Sequence, residues 1–206
     1  MGTTGLTAQA VGRENREETL LVGLRNAILA LGLGIALIIL QYPLQVLGLT
    51  WVNASPDVIA AAINYFNACI WGSPAILINL VLLGWFLGRE KNGAVLLLSF
   101  ISSALNITLD YLLVVKWNYA STGAGISSTI SQYLVLLVGL ILVFQEVRWQ
   151  EVRALAGKIW NPEALKSTFI LNSNILLNNL IFILAMVIFT YQGVESGTTT
   201  FTENAL

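Results

Sequence analysis

"NAILALGLGIALIILQYPLQVLG", residues 26–48, contains no charged side chain. It is one of several such runs. Residues 26–56, 58–88, 117–145 and 167–194 are all uncharged, and between Lys91 and Lys116 the only charge is Asp110. A helix that crosses a bilayer needs about 20 mostly apolar residues. The pattern predicts five such helices, at roughly 26–48, 63–87, 93–115, 123–145 and 168–193. In hydrocarbon every backbone N–H and C=O must be paired within the protein, so only helices or closed barrels can span. Runs of this length are too long for barrel strands. The expected fold is therefore an all-α integral membrane protein, with about five complete spans and a partial one. Composition agrees, at 56% hydrophobic and 10% charged residues, against about 25% charged in soluble domains.

The basic residues set the orientation. Arg13, Arg16 and Arg25 precede the first span, Arg89 and Lys91 lie in the 88–92 loop, and Arg148, Arg153, Lys158 and Lys166 lie at 146–167. Five successive spans place these three segments on one side. Only Lys116 falls on the other. Lys and Arg accumulate on cytoplasmic loops, so loops 88–92 and 146–167 are expected in the cytoplasm of a multi-pass inner or plasma membrane protein.

Other classes are excluded by what is missing. There is no histidine, and the single cysteine, Cys69, permits no internal disulfide and no cysteine cluster. No nucleophile–base pair or metal set is legible, so no enzyme is expected. The net charge of −1 gives no reason to expect nucleic acid as a partner; membrane lipids are the expected surroundings. Residues 1–18 lack a basic stretch followed by an apolar run, so no signal peptide is legible.

The stretch "QEVRWQEVRALAGKIWNPEALK", residues 145–166, reads as more than a linker. Trp149, Val152, Ala156 and Ile159 recur at three, four and three, which predicts an interfacial helix with one apolar face, stopped near Pro162. The opening "GTTGLTAQA" is small and weakly polar, like the end of a packed membrane helix. "TTTFTENAL" closes the chain where a further helix would start. A fragment of a longer transporter is the expectation from both ends.

"SALNITLDYLLVV", residues 103–115, carries the one acid of eleven that lies inside an apolar span, Asp110. Burying a lone carboxylate there costs about 3 kcal/mol or more, which makes it a candidate cation or proton site. Asn106 stands four residues earlier, on the same helix face, where its amide can orient the carboxyl group. The competing reading is structural, with Asp110 bonding a neighbouring helix. The asparagines at 172, 174, 178 and 179 read as interhelical hydrogen-bonding groups. Pro43 and Pro74 are expected to kink their spans. "GWFLG" at 84–88 and "GVESG" at 193–197 have the small-xxx-small spacing of closely packed helices.

"GTTGLTAQAVGR" at 2–13, "SPAILINLVLLGWFLG" at 73–88, "LNITLDYLLVV" at 105–115, "GAGISSTISQY" at 123–133 and "LNSNILLNNLIF" at 171–182 follow one another in an order that resembles the multidrug and toxic compound extrusion (MATE) family, in its DNA-damage-inducible F branch. The resemblance implies a fold of twelve helices in two six-helix bundles. This chain would span the end of helix 2 through helix 7. Residues 1–145 would form most of the N-terminal bundle, 146–167 the cytoplasmic connection, and 168–206 the first helix of the C-terminal bundle. It also implies a polar cluster in which an Asn and an Asp of helix 5 meet a hydroxyl of helix 6 and an aspartate of helix 1. The matching positions are Asn106 and Asp110, with Ser128 as the hydroxyl and Thr129 as the adjacent choice. The helix 1 aspartate has no counterpart. Two further positions depart from the branch. Cys69 stands where an arginine is usual five residues before the helix 4 proline, and Asn174 and Asn178 replace an Asp and an Arg of helix 7.

The function implied is a cation-coupled antiporter that exports drugs or other small organic compounds, with H⁺ or Na⁺ as the coupling ion and no resident cofactor. The alternatives are a non-transporting truncated membrane fragment and a lipid-linked oligosaccharide flippase of the same superfamily. A flippase cavity needs mid-span basic residues for pyrophosphate, and none is present.

Overall fold

The computed structural model describes residues 2–50, 55–170, 172 and 173. Among them the chain is helical throughout, without a strand. The order is α1 (Gly2–Gly12), α2 (Arg16–Ile39), α3 (Gln41–Thr50), α4 (Pro56–Cys69), a 3₁₀ turn (Ile70–Gly72), α5 (Ser73–Gly88), α6 (Asn92–Asp110), a π-helical stretch (Tyr111–Lys116), α7 (Ala120–Glu146) and α8 (Trp149–Ile159). Residues 162–170 are helical again. Among the described residues four stretches are long and apolar enough to cross a membrane: Arg16–Ile39, Pro56–Gly88, Asn92–Lys116 and Ala120–Glu146. The fifth expected span, 168–193, lies mostly outside the described residues, as do Asn174, Asn178, Asn179 and the 193–197 motif.

The helices differ from the expected spans where capping and proline chemistry overrule hydropathy. α2 begins at Arg16, well before residue 26, because Asn15 caps it: the Asn15 side chain accepts from the Glu18 N–H at 3.0 Å. Charges end a membrane span without ending a helix. The expected span 26–48 is two helices meeting at Leu40. Pro43, in the first turn of α3, supplies no N–H to the preceding turn and its ring crowds a carbonyl there. The expected span 63–87 starts earlier, at Pro56, and is interrupted by the 3₁₀ turn just before Pro74, where Ser73 Oγ donates to Ile70 O at 2.7 Å.

α5 is the centre of one half of the molecule. Along "GWFLG" a Cβ on Gly88 would stand 2.6 Å from Thr4 O and 2.7 Å from Thr7 Cβ, and one on Gly84 would stand 3.2 Å from Thr3 Cβ. The motif therefore seats α1. On another side of α5, a Cβ on Gly34 of α2 would lie 2.5 Å from Pro74 Cα. Trp85 and Phe86 are buried, and Trp85 Nε1 donates to Thr19 O at 2.9 Å. Leu20, Leu21, Leu82, Leu98, Val135 and Val147 complete this core.

The three basic segments meet at one end of the helices. Arg89 and Lys91 both pair with Glu146, at 2.7 and 3.3 Å, and Arg16 pairs with Glu151 at 3.1 Å. Arg25 donates to Lys158 O at 2.8 Å, and Lys158 pairs with Glu17. The connections between α1 and α2 and between α5 and α6 are tight because Glu14 and Glu90 adopt left-handed backbone angles, with φ of 54° and 59°. The chain is thus a multi-pass membrane protein whose basic segments share one end, the end expected in the cytoplasm.

α8 forms within the expected interfacial helix but uses a different face. Val152 is half-buried and Leu155 and Ile159 are buried against the core, whereas Trp149 and Ala156 are exposed. The neighbouring bundle covers one flank of the helix, so the single expected apolar stripe is divided between two directions. The last helical stretch begins at 162 rather than 168, because Asn161 Oδ1 accepts from the Glu163 and Ala164 N–H groups at 3.0 and 3.2 Å. Within it Asn172 Nδ2 donates to Asn26 Oδ1 of α2 at 2.8 Å, an interhelical bond of the kind expected for this residue.

Candidate polar cluster of the α4, α6 and α7 seam

α7 presents small and hydroxyl residues to its neighbours. Gly123, Ser127, Ser131, Val135 and Gly139 recur every four residues and all are buried, so they form one slowly drifting stripe. Gly125 adds a second point of close approach: a Cβ there would stand 2.5 Å from Ala68 Cβ and 2.8 Å from Tyr65 O. α4 and α7 consequently touch backbone to backbone. Thr129 Oγ1 donates to Ala68 O at 2.8 Å, and Cys69 Sγ donates to Gly125 O at 3.8 Å.

α6 delivers the acid to this seam. Asp110 is its last α-helical residue, and the chain continues as a π-helix from Tyr111 to Lys116. The wider turn is visible in the Trp117 N–H, which reaches back five residues to Leu112 O at 3.0 Å. Such widened turns occur often at functional sites. Ser127 Oγ donates to Asp110 Oδ1. One turn earlier, Asn106 Nδ2 donates to Ser128 Oγ at 3.3 Å. The i, i+4 pair of α6 thus meets two consecutive hydroxyls of α7. Tyr65 of α4 stands beside Cys69 and Ser128.

Of the four residues singled out by sequence, Asn106, Asp110 and Ser128 come together, while the Thr129 hydroxyl is spent on the α4 backbone. The nearest hydroxyl to Asp110 belongs to Ser127, fully buried, which sequence reasoning passed over. The four-residue repeat of small residues through 123–139 was the signal that marks it. Tyr65 was also missed; its phenol comes from a helix 45 positions away in sequence, which no local pattern records.

Ser127 has one hydroxyl hydrogen and two acceptors, Asp110 Oδ1 and Ala124 O at 2.9 Å. An ionised Asp110 takes that hydrogen. A protonated Asp110 instead donates its own to Ser127 Oγ, freeing the Ser127 hydrogen for Ala124 O. The cluster can therefore accommodate both protonation states without moving a helix. Among the described residues Asp110 forms no ion pair, and no group of three or more His, Cys, Asp or Glu side chains gathers for a metal. Its oxygen donors are of the kind that hold hard cations. A second polar contact, Asn79 Nδ2 to Gln132 O and Oε1, both at 2.9 Å, ties α5 to α7.

Residues 1–112 match the MatE family. DNA damage-inducible protein F of Escherichia coli (strain K12) is 32% identical over all of this chain and 45% of its own length. Protein DETOXIFICATION 43 of Arabidopsis thaliana is 27% identical over 58% of this chain and 23% of its own length. The chain thus spans less than half the length of these relatives. Among solved structures, an outward-facing conformation of a multidrug resistance MATE family transporter matches with a TM-score of 0.65 and 24% identity, over 69% of this chain and 32% of that one. An inward-facing conformation of a multidrug resistance MATE family transporter also matches with a TM-score of 0.65, over 71% of this chain and 33% of that one.

Proposed function

Because the chain belongs to the MatE family, we propose that it supplies the ion-coupling half of an efflux transporter that exports small organic compounds in exchange for H⁺ or Na⁺. The observation that carries this reading is the Asp110–Ser127 contact, with Asn106 and Ser128 beside it, inside an otherwise uncharged seam. A carboxyl group so placed changes charge only when an ion arrives or leaves, and that change biases which helix arrangement is preferred. Ser127 is assigned as the partner that serves both states of Asp110, Asn106 and Ser128 as the groups that position the acid, and Thr129 as the tether of α7 to α4. Equal likeness to outward- and inward-facing relatives supports a bundle that moves as one body in alternating access.

The test has two arms. In lipid, the carboxyl infrared band of the chain is followed against pH and Na⁺. The expected result is one Asp110-dependent band that shifts with either ion and vanishes in Asp110→Asn. A band insensitive to both ions overturns the assignment. Alternating access needs two moving bodies, so transport is measured in a chimera in which this chain replaces the matching part of the E. coli relative. Asp110→Asn is expected to abolish dye efflux at wild-type membrane levels, and Asn106→Ala to weaken it less. Normal efflux by Asp110→Asn makes Asp110 a structural group.

A further inference from the structure

The divided surface of α8 points to a lipid site. Val152, Leu155 and Ile159 dock on the bundle, and the helix is held there by Arg16–Glu151, by Lys158–Glu17 and by Arg25 on Lys158 O. These contacts fix its rotation about its own axis. Trp149, Arg153, Ala156 and Trp160 recur at four, three and four, so at 3.6 residues per turn they fall within about 60° of arc, centred about 100° from the docked face. All four are exposed, the two tryptophans by 61% and 69%. Trp149 is steadied by Phe144 of α7, ring centroids 6.1 Å apart. Among the described residues neither Arg153 nor the neighbouring Arg148 forms an ion pair.

We propose that this Trp149–Arg153–Ala156–Trp160 stripe binds the headgroup layer of anionic phospholipids in the cytoplasmic leaflet. Three observations select that occupant. α8 follows the end of the α7 span after only Val147 and Arg148, so it lies at headgroup depth. Tryptophan pairs of this kind sit at the junction of headgroup and acyl chain. Arg153, between the two tryptophans along the stripe and, among the described residues, without a carboxylate partner, presents its donors to phosphate. The acids of α8 do not interfere, since Glu151 is occupied by Arg16. By holding α8 against α2, the same helix would couple leaflet composition to the cytoplasmic end of the bundle.

The 206-residue chain carrying Cys69→Ser and Ala156→Cys, labelled with a nitroxide at 156, is reconstituted in phosphatidylcholine vesicles with and without phosphatidylglycerol. Collision rates with oxygen and with a water-soluble nickel chelate report the depth of the label. The expected result is a deeper label with phosphatidylglycerol, lost in Arg153→Gln and kept in Arg153→Lys. Association of a spin-labelled phosphatidylglycerol should fall about fivefold in Arg153→Gln, the effect of one cation beside an anionic surface. Trp149→Ala should make the label shallower in both vesicles. Inorganic phosphate added to phosphatidylcholine vesicles should have no effect. The proposal is overturned by a label equally deep in both vesicles, by an Arg153→Gln chain that keeps the lipid preference, by free phosphate reproducing the effect, or by spin–spin broadening that shows a second copy covering the stripe.

Discussion

Two consecutive apolar spans lead different lives in this protein. Of the most apolar stretch of Pro56–Gly88, 56% is buried inside the protein; for Asn92–Lys116 the figure is 11%. The first contains α5, which meets α1 through Gly84 and Gly88, α2 at Pro74, and α7 through Asn79. The second contains α6, whose Leu96, Phe100 and Ile107 are more than two-thirds exposed. Hydrocarbon satisfies those side chains as well as protein does. The difference teaches a division of labour. Around α5 the helices are locked by backbone-to-backbone contact. Along α6 the fixed points are fewer: the buried Leu98 in the core, and two polar contacts, Asp110 on Ser127 and Asn106 on Ser128. The site proposed to couple ions sits on the more loosely held helix, where a change in hydrogen bonding meets less packing resistance.

The largest test of that contrast is steric. Gly34→Ala places a methyl group 2.5 Å from the backbone of Pro74, which cannot swing aside. It should cost about 3 kcal/mol, the upper end of overpacking effects, read as a fall in the SDS midpoint of mixed-micelle unfolding. Gly32→Ala, two residues earlier and with nothing within 4 Å, should instead be neutral or stabilising by up to about 1 kcal/mol. Equal effects at the two sites would dissolve the locked half.

Next in size is the polar seam. Ser127→Ala removes the donor to Asp110 and should cost about 2 kcal/mol, because it leaves a half-buried acceptor without its partner. In an Asp110→Ala background the same change should cost close to nothing. Additive losses in this cycle would mean that Ser127 and Asp110 are not coupled. Thr129→Val, which deletes only the bond to Ala68 O, should cost about 1 kcal/mol, and it should leave the ion response of the carboxyl band unchanged. A shifted band would bring Thr129 back into the cluster.

The smallest effect is expected in the loop that joins the two spans. Glu90 holds φ at 59°, a region that costs a non-glycine residue about 1 kcal/mol. Glu90→Gly should raise stability by about 0.5 kcal/mol, less than the full relief because glycine also loosens the unfolded chain. A loss of stability would show that the Glu90 side chain, rather than its backbone, holds α5 to α6.

Hydropathy and charge alone determined where the described spans lie, that the basic segments share one end, and that Asp110 is the acid out of place. These follow from desolvation, which each segment meets by itself in the bilayer. Pro43 and Pro74 likewise announced their breaks, since a missing N–H is a local property. Only the tertiary structure decided that Ser127 rather than Ser128 or Thr129 faces Asp110, and that α8 docks through Leu155 while Trp149 and Ala156 point away. Neighbouring residues on a helix differ by 100° in direction, so the choice among them is made by the rotation of one helix against the next. In a membrane that rotation is weakly encoded by hydropathy, because leucine is as content against lipid as against another helix. It is set by small residues and scattered polar contacts: Gly125 against Ala68, Thr129 on Ala68 O, and Arg16 on Glu151.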